Sequence, residues 1–319
     1  MLYDTRSVHP LDRYDYYQQA STTELAPVAV RGRPPGRLIA AMSVANVGDI
    51  ELEHVTWTAD GQLVTRRTER FIRARDPQCY RVFVNVSGVM VGDQAGNRVI
   101  LRARDMALFD LSSPCDCTHG TDRSLLQAVM LSIPRSQLPA ADNAVRRLAG
   151  ARIPRSLPGR SALAQLLIEL VRPAGPAPDP DLADMLRESI TELIHARLGR
   201  SSGIGRRTQR ALQLAHLRSV IQRRLNEPNL NVAGLAAATS MSTRSLHALC
   251  RDTGHTPMQL VKQLRLQAAH RSLQDPAHAA ASITDIAAAH GYRRPDQFAH
   301  DFKRQFGVSA THVRARQTR

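Results

Sequence analysis

The chain has 319 residues, of which 43% are hydrophobic, and it carries a formal net charge of +15 at pH 7. This length allows two domains with separate cores, and no apolar run reaches the roughly 18 residues that a membrane span needs. The first 20 residues lack the pattern of a secretory signal, and the four cysteines are too few for a disulfide scaffold. We therefore expect a cytoplasmic protein with no membrane partner.

The positive charge is concentrated at the C-terminal end. Residues 206–319 contain 18 Lys and Arg against 6 Asp and Glu, whereas residues 1–205 contain 25 against 22. A basic region that follows a nearly neutral one predicts a polyanionic partner for the basic region only. A solvated basic surface is the alternative interpretation of the charge.

The N-terminal part has the pattern of short β-strands. Residues 1–37 are polar and end in the turn-rich sequence RGRPPG, so we interpret them as an arm and a loop. Residues 38–155 follow with period-two segments such as YRVFVNVSG, in which Tyr80 begins one face and Arg81 the other. Turn signals separate these segments and favour a β-barrel or sandwich. The turn signals are ADGQ at 59–62, GDQAGN at 92–97 and SSPCD at 112–116.

The hydrophobic period becomes helical after Pro134. One apolar stripe runs from Leu163 to Leu170, and a second runs from Leu182 to Leu198, with the Pro-rich break RPAGPAPDPD between them. The second stripe suits a helix packed on its own domain and a dimer contact equally well. We interpret residues 156–205 as a helical connector that ends in SSGIG, before a separate domain over residues 206–319.

Two segments of the basic domain repeat one another. LAAATSMSTRSLHALCRDTG at 235–254 aligns with IAAAHGYRRPDQFAHDFKRQFG at 286–307 at an offset of 51 to 53 residues. Each copy predicts a short helix, a tight turn and a second helix, which is a helix-turn-helix. The turns are expected at Thr239-Ser240 and at His290-Gly291, where glycine permits a sharp corner.

The second helix of each copy has a predicted buried face and a predicted exposed face. Ser242 is expected to cap the first of these helices at its N-terminus. The inward residues are Leu246, Leu249 and Cys250 in the first copy and Phe298, Phe302 and Phe306 in the second. The outward residues are Thr243, Arg244, His247 and Arg251 in the first copy and Arg293, Arg294, Asp296, Gln297 and His300 in the second.

A single long helix is predicted between the two copies, from Thr256 to Gln274. At 1.5 Å per residue such a helix is a rigid spacer about 25 Å long. It would hold two recognition helices near the spacing of one turn of B-DNA, about 34 Å, so that both enter successive major grooves.

These features resemble the AraC/XylS family of regulators. The tandem copies, RLQAA at 265–269 and GYRRPDQFAHDFKRQFGVSATHVR at 291–314 carry the resemblance, which covers residues 207–316. It implies that residues 242–251 and 295–304 are the recognition helices of a cytoplasmic homodimeric regulator, commonly an activator that contacts RNA polymerase. Cys250, where an aromatic is usual, Thr311, where proline is common, and Pro295 depart from the pattern. Pro295 and Asp296 put base reading by the second copy in doubt.

The candidate DNA contacts follow from the exposed faces. Arg244 is the first candidate for base reading, because arginine can bond guanine O6 and N7 together; a phosphate contact is the alternative. Lys303 and Arg304 are expected to meet phosphate, which sets register without reading sequence. For every one of these residues a solvated face is the alternative. The candidates are Thr243, Arg244, Ser245, His247, Arg251, Arg293, Arg294, Gln297, His300, Lys303 and Arg304.

The N-terminal domain resembles, less sharply, the cupin-like sensor domains of the same family, which implies that it senses a small-molecule effector or mediates dimerisation. The paired histidines of a metal cupin are missing, so neither a metal nor a cofactor is predicted. Cys115, Cys117 and His119 allow a metal or redox site, but unpaired thiols in a β-turn region fit as well. Trp57, Tyr80 and Phe83 are candidates for the lining of the effector pocket.

The sequence as a whole predicts an α+β protein: an N-terminal cupin-like β-barrel, a helical connector and a C-terminal all-α tandem helix-turn-helix domain. The function expected is sequence-specific binding of double-stranded DNA. A cupin-type enzyme tethered to DNA is the second hypothesis, and the lack of a metal triad, a Ser-His-Asp order or a phosphate loop argues against it. An RNA-binding interaction module is the third, disfavoured because folded RNA is usually read by sheets and stacking aromatics.

Overall fold

The computed structural model describes residues 2–23, 26–31, 38–58, 62–120, 125–138, 142–171, 181–201, 203–278 and 280–315. They form two compact units that meet in sequence between residues 212 and 213. The predicted turn at 59–61, most of RGRPPG and the break at 172–180 lie outside the described residues. Within the described part of the chain, no helix has the length and apolarity needed to cross a membrane.

Two antiparallel β-sheets form the first unit. The larger sheet contains, in spatial order, β1 (Leu2–Asp4), β3 (Ile39–Val47), β4 (Ile50–Thr58), β11 (Leu126–Pro134), β6 (Cys79–Ser87), β9 (Met106–Asp110) and β12 (Ala151–Ile153). The smaller contains β2 (Ala29–Arg31), β5 (Leu63–Arg67), β10 (Cys115–His119), β7 (Met90–Gln94) and β8 (Asn97–Leu101). Apolar side chains of both sheets share one core, which confirms the cupin-like barrel.

Two of the predicted turns are present in the barrel. The hairpin between β7 and β8 turns on Ala95 and Gly96, whose φ angles of 51° and 78° define the left-handed turn that matches strand twist. The turn predicted over SSPCD ends earlier than expected, because Cys115 already pairs with Arg67 of β5 and Gln94 of β7. Cys115 and Cys117 therefore lie in a strand and not in a turn.

Residues 2–23 are folded onto the barrel. Strand β1 pairs with β3, and helix α1 (Arg13–Thr23) follows it. Tyr17 of this helix is buried in the barrel core, and its hydroxyl accepts a hydrogen bond from Trp57 Nε1. The segment interpreted as an arm thus supplies part of the hydrophobic core, because one side of the polar helix is apolar.

Strand β6 is buried on both faces. Phe83 packs into the barrel core, whereas Tyr80 belongs to the opposite face. Helix α4 (Arg160–Leu170) contacts β6, and helix α5 (Leu182–Arg197) follows, so both predicted connector helices are present. Shorter helices are α2 (Glu69–Ala74) and α3 (Asp142–Arg146).

The second unit is helical. Its elements are α6 (Arg206–Arg223), α7 (Val232–Ala238), α8 (Thr243–Arg251), α9 (Pro257–Gln274), α10 (Ile283–Ala289), α11 (Pro295–Phe306) and α12 (Ala310–Ala315). The division between the units falls inside α6, later than residue 206, because Ile204 is buried beside Gly159 of the first unit. The second unit has two cores, and α9 contributes Leu260 and Leu264 to one and Leu266 and Leu273 to the other.

Candidate nucleic-acid interface

The first helix-turn-helix is built from α7 and α8. Ser242 caps α8, as predicted: its Oγ accepts a hydrogen bond from the Ser245 backbone N–H at 3.1 Å. The predicted inward residues Leu246, Leu249 and Cys250 are buried in the core that α8 shares with α9. The opposite face of α8 is thereby turned to solvent.

The exposed face of α8 carries unpaired polar groups. Thr243, Arg244, Ser245, His247 and Arg251 are all exposed. The Ser245 hydroxyl hydrogen-bonds with the Ser242 hydroxyl at 2.8 Å. Among the described residues, no ion pair or side-chain hydrogen bond involves Arg244, His247 or Arg251. Their hydrogen-bonding groups are therefore available to a ligand.

The second helix-turn-helix is built from α10 and α11. Ser282 and Asp285 form a reciprocal capping box at the start of α10. Gly291 takes the left-handed conformation at the turn, with φ +77°. Ser240 takes the equivalent conformation in the first helix-turn-helix, with φ +55°. Pro295 occupies the first turn of α11, where its missing N–H is tolerated. The predicted inward residues are found inside: Phe298 and Phe302 are buried and Phe306 is half-buried.

The three candidate arginines near α11 already have partners in the chain. Arg294 Nη2 lies 2.5 Å from an Asp296 carboxylate oxygen, and the guanidinium lowers the pKa of that carboxyl. Arg304 Nη2 lies 3.2 Å from Asp301 Oδ1, and Arg293 donates to the Asn229 side-chain oxygen. The remaining candidates Gln297, His300 and Lys303 are exposed. All candidate residues of both copies are thus on the surface. The candidate arginines of the second copy are engaged, whereas Lys303, like Arg244 and Arg251 of the first copy, has no partner among the described residues.

Arg265 connects the two helix-turn-helix units, a role that sequence patterns did not reveal. This residue of α9 donates from Nε to the Leu225 carbonyl at 3.1 Å, and from Nη2 to the Glu227 carbonyl. Both carbonyls belong to the connecting loop, residues 224–231, which joins α6 to α7. A β-carbon on Gly291 would lie 2.4 Å from the Leu225 oxygen and 2.7 Å from Arg265 Nη2. The turn of the second helix-turn-helix therefore packs directly on the connecting loop that leads into the first helix-turn-helix.

Asp301 is a second contact that sequence patterns missed. It is buried in α11 and accepts from Lys262 Nζ of α9 at 2.5 Å as well as from Arg304. A buried carboxylate that keeps its charge requires such partners. Asp301 thereby joins the second recognition helix to the spacer helix. The one sequence feature that points to this contact is the position of a charged residue, Asp301, between the inward residues Phe298 and Phe302.

The barrel of the first unit contains a cavity of about 80 Å³. Trp57 and Phe83 line it, as predicted, but Tyr80 does not, since it lies on the other face of β6, where the Arg135 guanidinium covers its ring at 5.1 Å. The polar lining includes Arg67, Arg81, Cys115, Cys117 and His119.

Two polar groups of the cavity are held by buried contacts. Arg81 forms an ion pair with the buried Glu53 and hydrogen-bonds from Nε to Ser132 Oγ at 3.1 Å. His119 lies against the Trp57 ring, with centroids 4.7 Å apart, and burial lowers its pKa to about 4. Its ring is therefore neutral at physiological pH. The described residues contain no cluster of three His, Cys, Asp or Glu able to hold a metal ion.

A barrel with an internal cavity, followed by two helix-turn-helix units on a shared spacer helix, defines a class of protein: a DNA-binding transcription regulator with a separate regulatory domain. Comparison with known proteins agrees. Residues 17–199 match the AraC-binding-like domain family, and residues 235–316 match a helix-turn-helix domain family. The chain belongs to the AraC family of transcription regulators.

Individual relatives have the same character. Transcriptional activator NphR from Rhodococcus sp is 26% identical over 271 residues, which are 82% of this chain and 76% of NphR. HTH-type transcriptional activator RhaS from Escherichia coli O139:H28 is 36% identical over 86 residues, only 27% of this chain and 30% of RhaS. The crystal structure of the AraC-like transcriptional activator CuxR has a TM-score of 0.50 at 14% identity, covering 91% of this chain and 99% of CuxR, and so shares the fold. The family is one of regulators, and nothing in these comparisons supports the DNA-tethered enzyme or the RNA-binding module.

Proposed function

We propose that this chain activates transcription in the cytoplasm by binding duplex DNA through α8 and α11, and that α8 supplies most of the base reading. The observation that carries this proposal is the contrast between the two exposed faces. Arg244 and Arg251 of α8 have no partner among the described residues, whereas Arg293 and Arg294 beside α11 each have one. An arginine already engaged must give up that contact before it bonds a base edge. NphR and RhaS, both named as activators, support the direction of regulation.

The proposed division of labour assigns base contacts and phosphate contacts to different residues. Arg244 is placed to bond a guanine, with His247 and Ser245 beside it on α8. Lys303, Arg304 and the other exposed polar residues of the second copy, Arg293, Arg294, Gln297 and His300, provide mainly phosphate contacts that set register. Thr243 and Arg251, at the two ends of α8, flank the base-reading residues.

Helix α9 sets the separation of the two recognition helices in this proposal. Its 18 residues give a length of about 27 Å at 1.5 Å per residue. The capping box of Thr256 and Gln259 and the Arg265 contacts support a rigid spacer. A rigid spacer of this length suits two helices in successive major grooves, about 34 Å apart.

The first unit is proposed to regulate DNA binding through a small molecule held in its cavity. The cavity is concave, mostly apolar and equipped with a few convergent polar groups, which is typical of a ligand site. We further propose a homodimer that contacts RNA polymerase. The apolar stripe of α5 is buried in its own unit, Leu186 and Leu193 included, so the proposed dimer uses a different surface.

The test compares DNA affinities of the full chain and single variants at one stated salt concentration. Arg244→Ala is expected to reduce the preference for a target duplex over a scrambled duplex by about 1–3 kcal/mol. Lys303→Ala should weaken both duplexes about equally. Arg294→Ala is the matched control, an exposed arginine with an internal partner, and should change the preference less than Arg244→Ala. An unchanged preference in Arg244→Ala, or a larger change in Arg294→Ala, would contradict the assignment.

A further inference from the structure

The barrel cavity holds a pair of thiols that DNA binding does not use. Cys115 and Cys117 are alternate residues of β10, so both point to the same side of the sheet, and both line the cavity. Both are half-buried, and neither is in a disulfide. Their backbones are fixed, because β10 is paired with β5 on one side and with β7 on the other.

A buried positive charge lies beside this pair. Arg67 is 1% exposed, and its guanidinium donates to the carbonyl oxygens of Leu111 at 2.7 Å, Pro27 at 2.7 Å and Arg75 at 2.9 Å. These acceptors are neutral, and no carboxylate in the described ranges forms an ion pair with Arg67. A buried cation without a counter-ion is expensive, and a thiolate at Cys115 would supply the missing negative charge.

The two thiols are consequently unequal. The hydrogen bond from Cys117, and then the charges of Arg67 and Arg81, lower the pKa of Cys115. The same hydrogen bond and burial raise the pKa of Cys117 well above its ordinary value. Burial also raises the pKa of Cys79 and of Cys250. The thiolate, which is the nucleophilic form of cysteine, is therefore favoured at Cys115 and disfavoured at Cys117, whose thiol keeps its proton next to it.

A disulfide between the two thiols is disfavoured by the strand. Alternate residues of a strand are about 6.6–6.8 Å apart between Cα atoms, at the upper limit of the range for disulfides. Closing the distance would require β10 to bend while both neighbouring strands hold it. Addition of one thiolate to a carbon electrophile requires no such movement.

We propose that the cavity is a covalent binding site for soft, apolar electrophiles of the α,β-unsaturated carbonyl class, with Cys115 as the nucleophile and Cys117 as the proton donor. The Cys115 sulfur forms a bond to the β-carbon while the electrons of the carbon–carbon double bond move to the carbonyl oxygen. The enolate then takes a proton on its α-carbon from the Cys117 thiol. The product is a thioether at Cys115, and the negative charge ends on the Cys117 sulfur, where Arg81 stabilises it.

The walls of the cavity suit the apolar body of such a molecule. Trp57, Phe83 and Phe109 line the cavity together with the thiols. An aromatic wall binds planar conjugated groups through offset or edge contacts. His119 does not compete with Cys117 as a cationic proton donor, because its buried ring is neutral. The inference deepens the proposed effector role of the cavity and is independent of how the second unit reads DNA.

The test is timed labelling of the full-length chain with N-ethylmaleimide at pH 7, followed by peptide mass mapping. Cys115 should be labelled first, about 10-fold or more faster than Cys79, because its thiolate is favoured. Cys115→Ala should abolish the fast phase, Cys117→Ser should slow it, and the matched control Cys79→Ser should leave it unchanged. Mapping of the wild-type chain keeps the test valid if a variant fails to fold.

Three results would overturn the proposal. The first is labelling of Cys79 as fast as that of Cys115, and the second is a fast phase that survives in Cys115→Ala. The third is rapid formation of a Cys115–Cys117 disulfide in dilute hydrogen peroxide, seen as a mass decrease of two hydrogens. That result would identify a redox site instead. No duplex is present in these measurements, so their failure would leave the DNA-binding proposal unaffected, and failure of that proposal would leave the labelling result intact.

Discussion

Gly291 packs against the connecting loop that leads into the first helix-turn-helix, and Gly291→Ala should separate the two. The residue has φ +77°, which disfavours a side chain by about 1–2 kcal/mol. The added β-carbon would also lie 2.4 Å from the Leu225 oxygen, so the connecting loop must shift. Shifting that loop removes at least one charged hydrogen bond of Arg265, worth about 1.5–3 kcal/mol. We expect a total loss of about 3–5 kcal/mol from the second unit.

Gly307→Ala is the matched control. Gly307 follows α11 with φ +74°, and a β-carbon there would meet no atom within 4 Å. The Gly307→Ala variant should therefore lose only the free energy of unfolding that comes from the left-handed backbone conformation, about 1–2 kcal/mol. The difference between the two variants measures the close approach of Gly291 to Leu225 and Arg265.

Urea denaturation of the full-length chain can follow the two units separately. Trp57 is the only tryptophan and lies in the barrel, so its fluorescence reports on the first unit. Far-ultraviolet circular dichroism is dominated by helices, which lie in both units. The second unit is followed by the part of the dichroism change that does not coincide with the fluorescence transition. The dichroism transition should move to lower urea in Gly291→Ala, further than in Gly307→Ala, while the fluorescence transition stays in place. Equal shifts in the two variants, or a shift of the fluorescence transition, would refute the reasoning.

Two more predictions concern stability. Ser240 holds the left-handed turn of the first helix-turn-helix with φ +55°, so Ser240→Gly should stabilise the second unit by up to about 1–2 kcal/mol in the dichroism transition. A loss of stability would contradict this. Burial lowers the pKa of His119 to about 4, so between about pH 4 and pH 6.5 the folded barrel binds fewer protons than the unfolded chain. The stability that the neutral buried ring contributes is therefore fully present above pH 6.5 and is lost as the pH falls towards 4. The unfolding free energy of the wild type relative to His119→Asn, from fluorescence, should fall by up to about 3 kcal/mol over that window. A difference that is constant with pH would show that the ring is not buried in its neutral form.

Local patterns were sufficient wherever a residue's role depends on its own helix or turn. The inward residues of α8 and α11, the Ser242 cap and the presence of a turn within GDQAGN at 92–97 were all readable, because each depends on helical period, end groups or turn-forming residues over a few positions. The same period predicted α4 and α5 but left open what the α5 stripe contacts. Burial of that stripe in its own unit became visible only once the barrel was assembled.

Roles that depend on distant partners were beyond the sequence. An alternating strand such as β6 shows two faces but not which one lines the cavity, so Tyr80 was assigned wrongly. The sequence predicts Arg293 and Arg294 as candidate DNA contacts, but it does not show that their side chains bond to Asn229 and Asp296.

The sequence by itself determined the β-barrel, the connector helices, the duplicated helix-turn-helix and the side of each recognition helix that meets solvent, since hydrophobic periodicity and capping act within one element. Only the tertiary structure decided that Arg265 bonds the carbonyls of the connecting loop, that Asp301 joins α11 to α9, and that two thiols share a cavity with Arg67. These contacts join residues far apart in the chain. Their energy comes from burial and close approach, which no local pattern records.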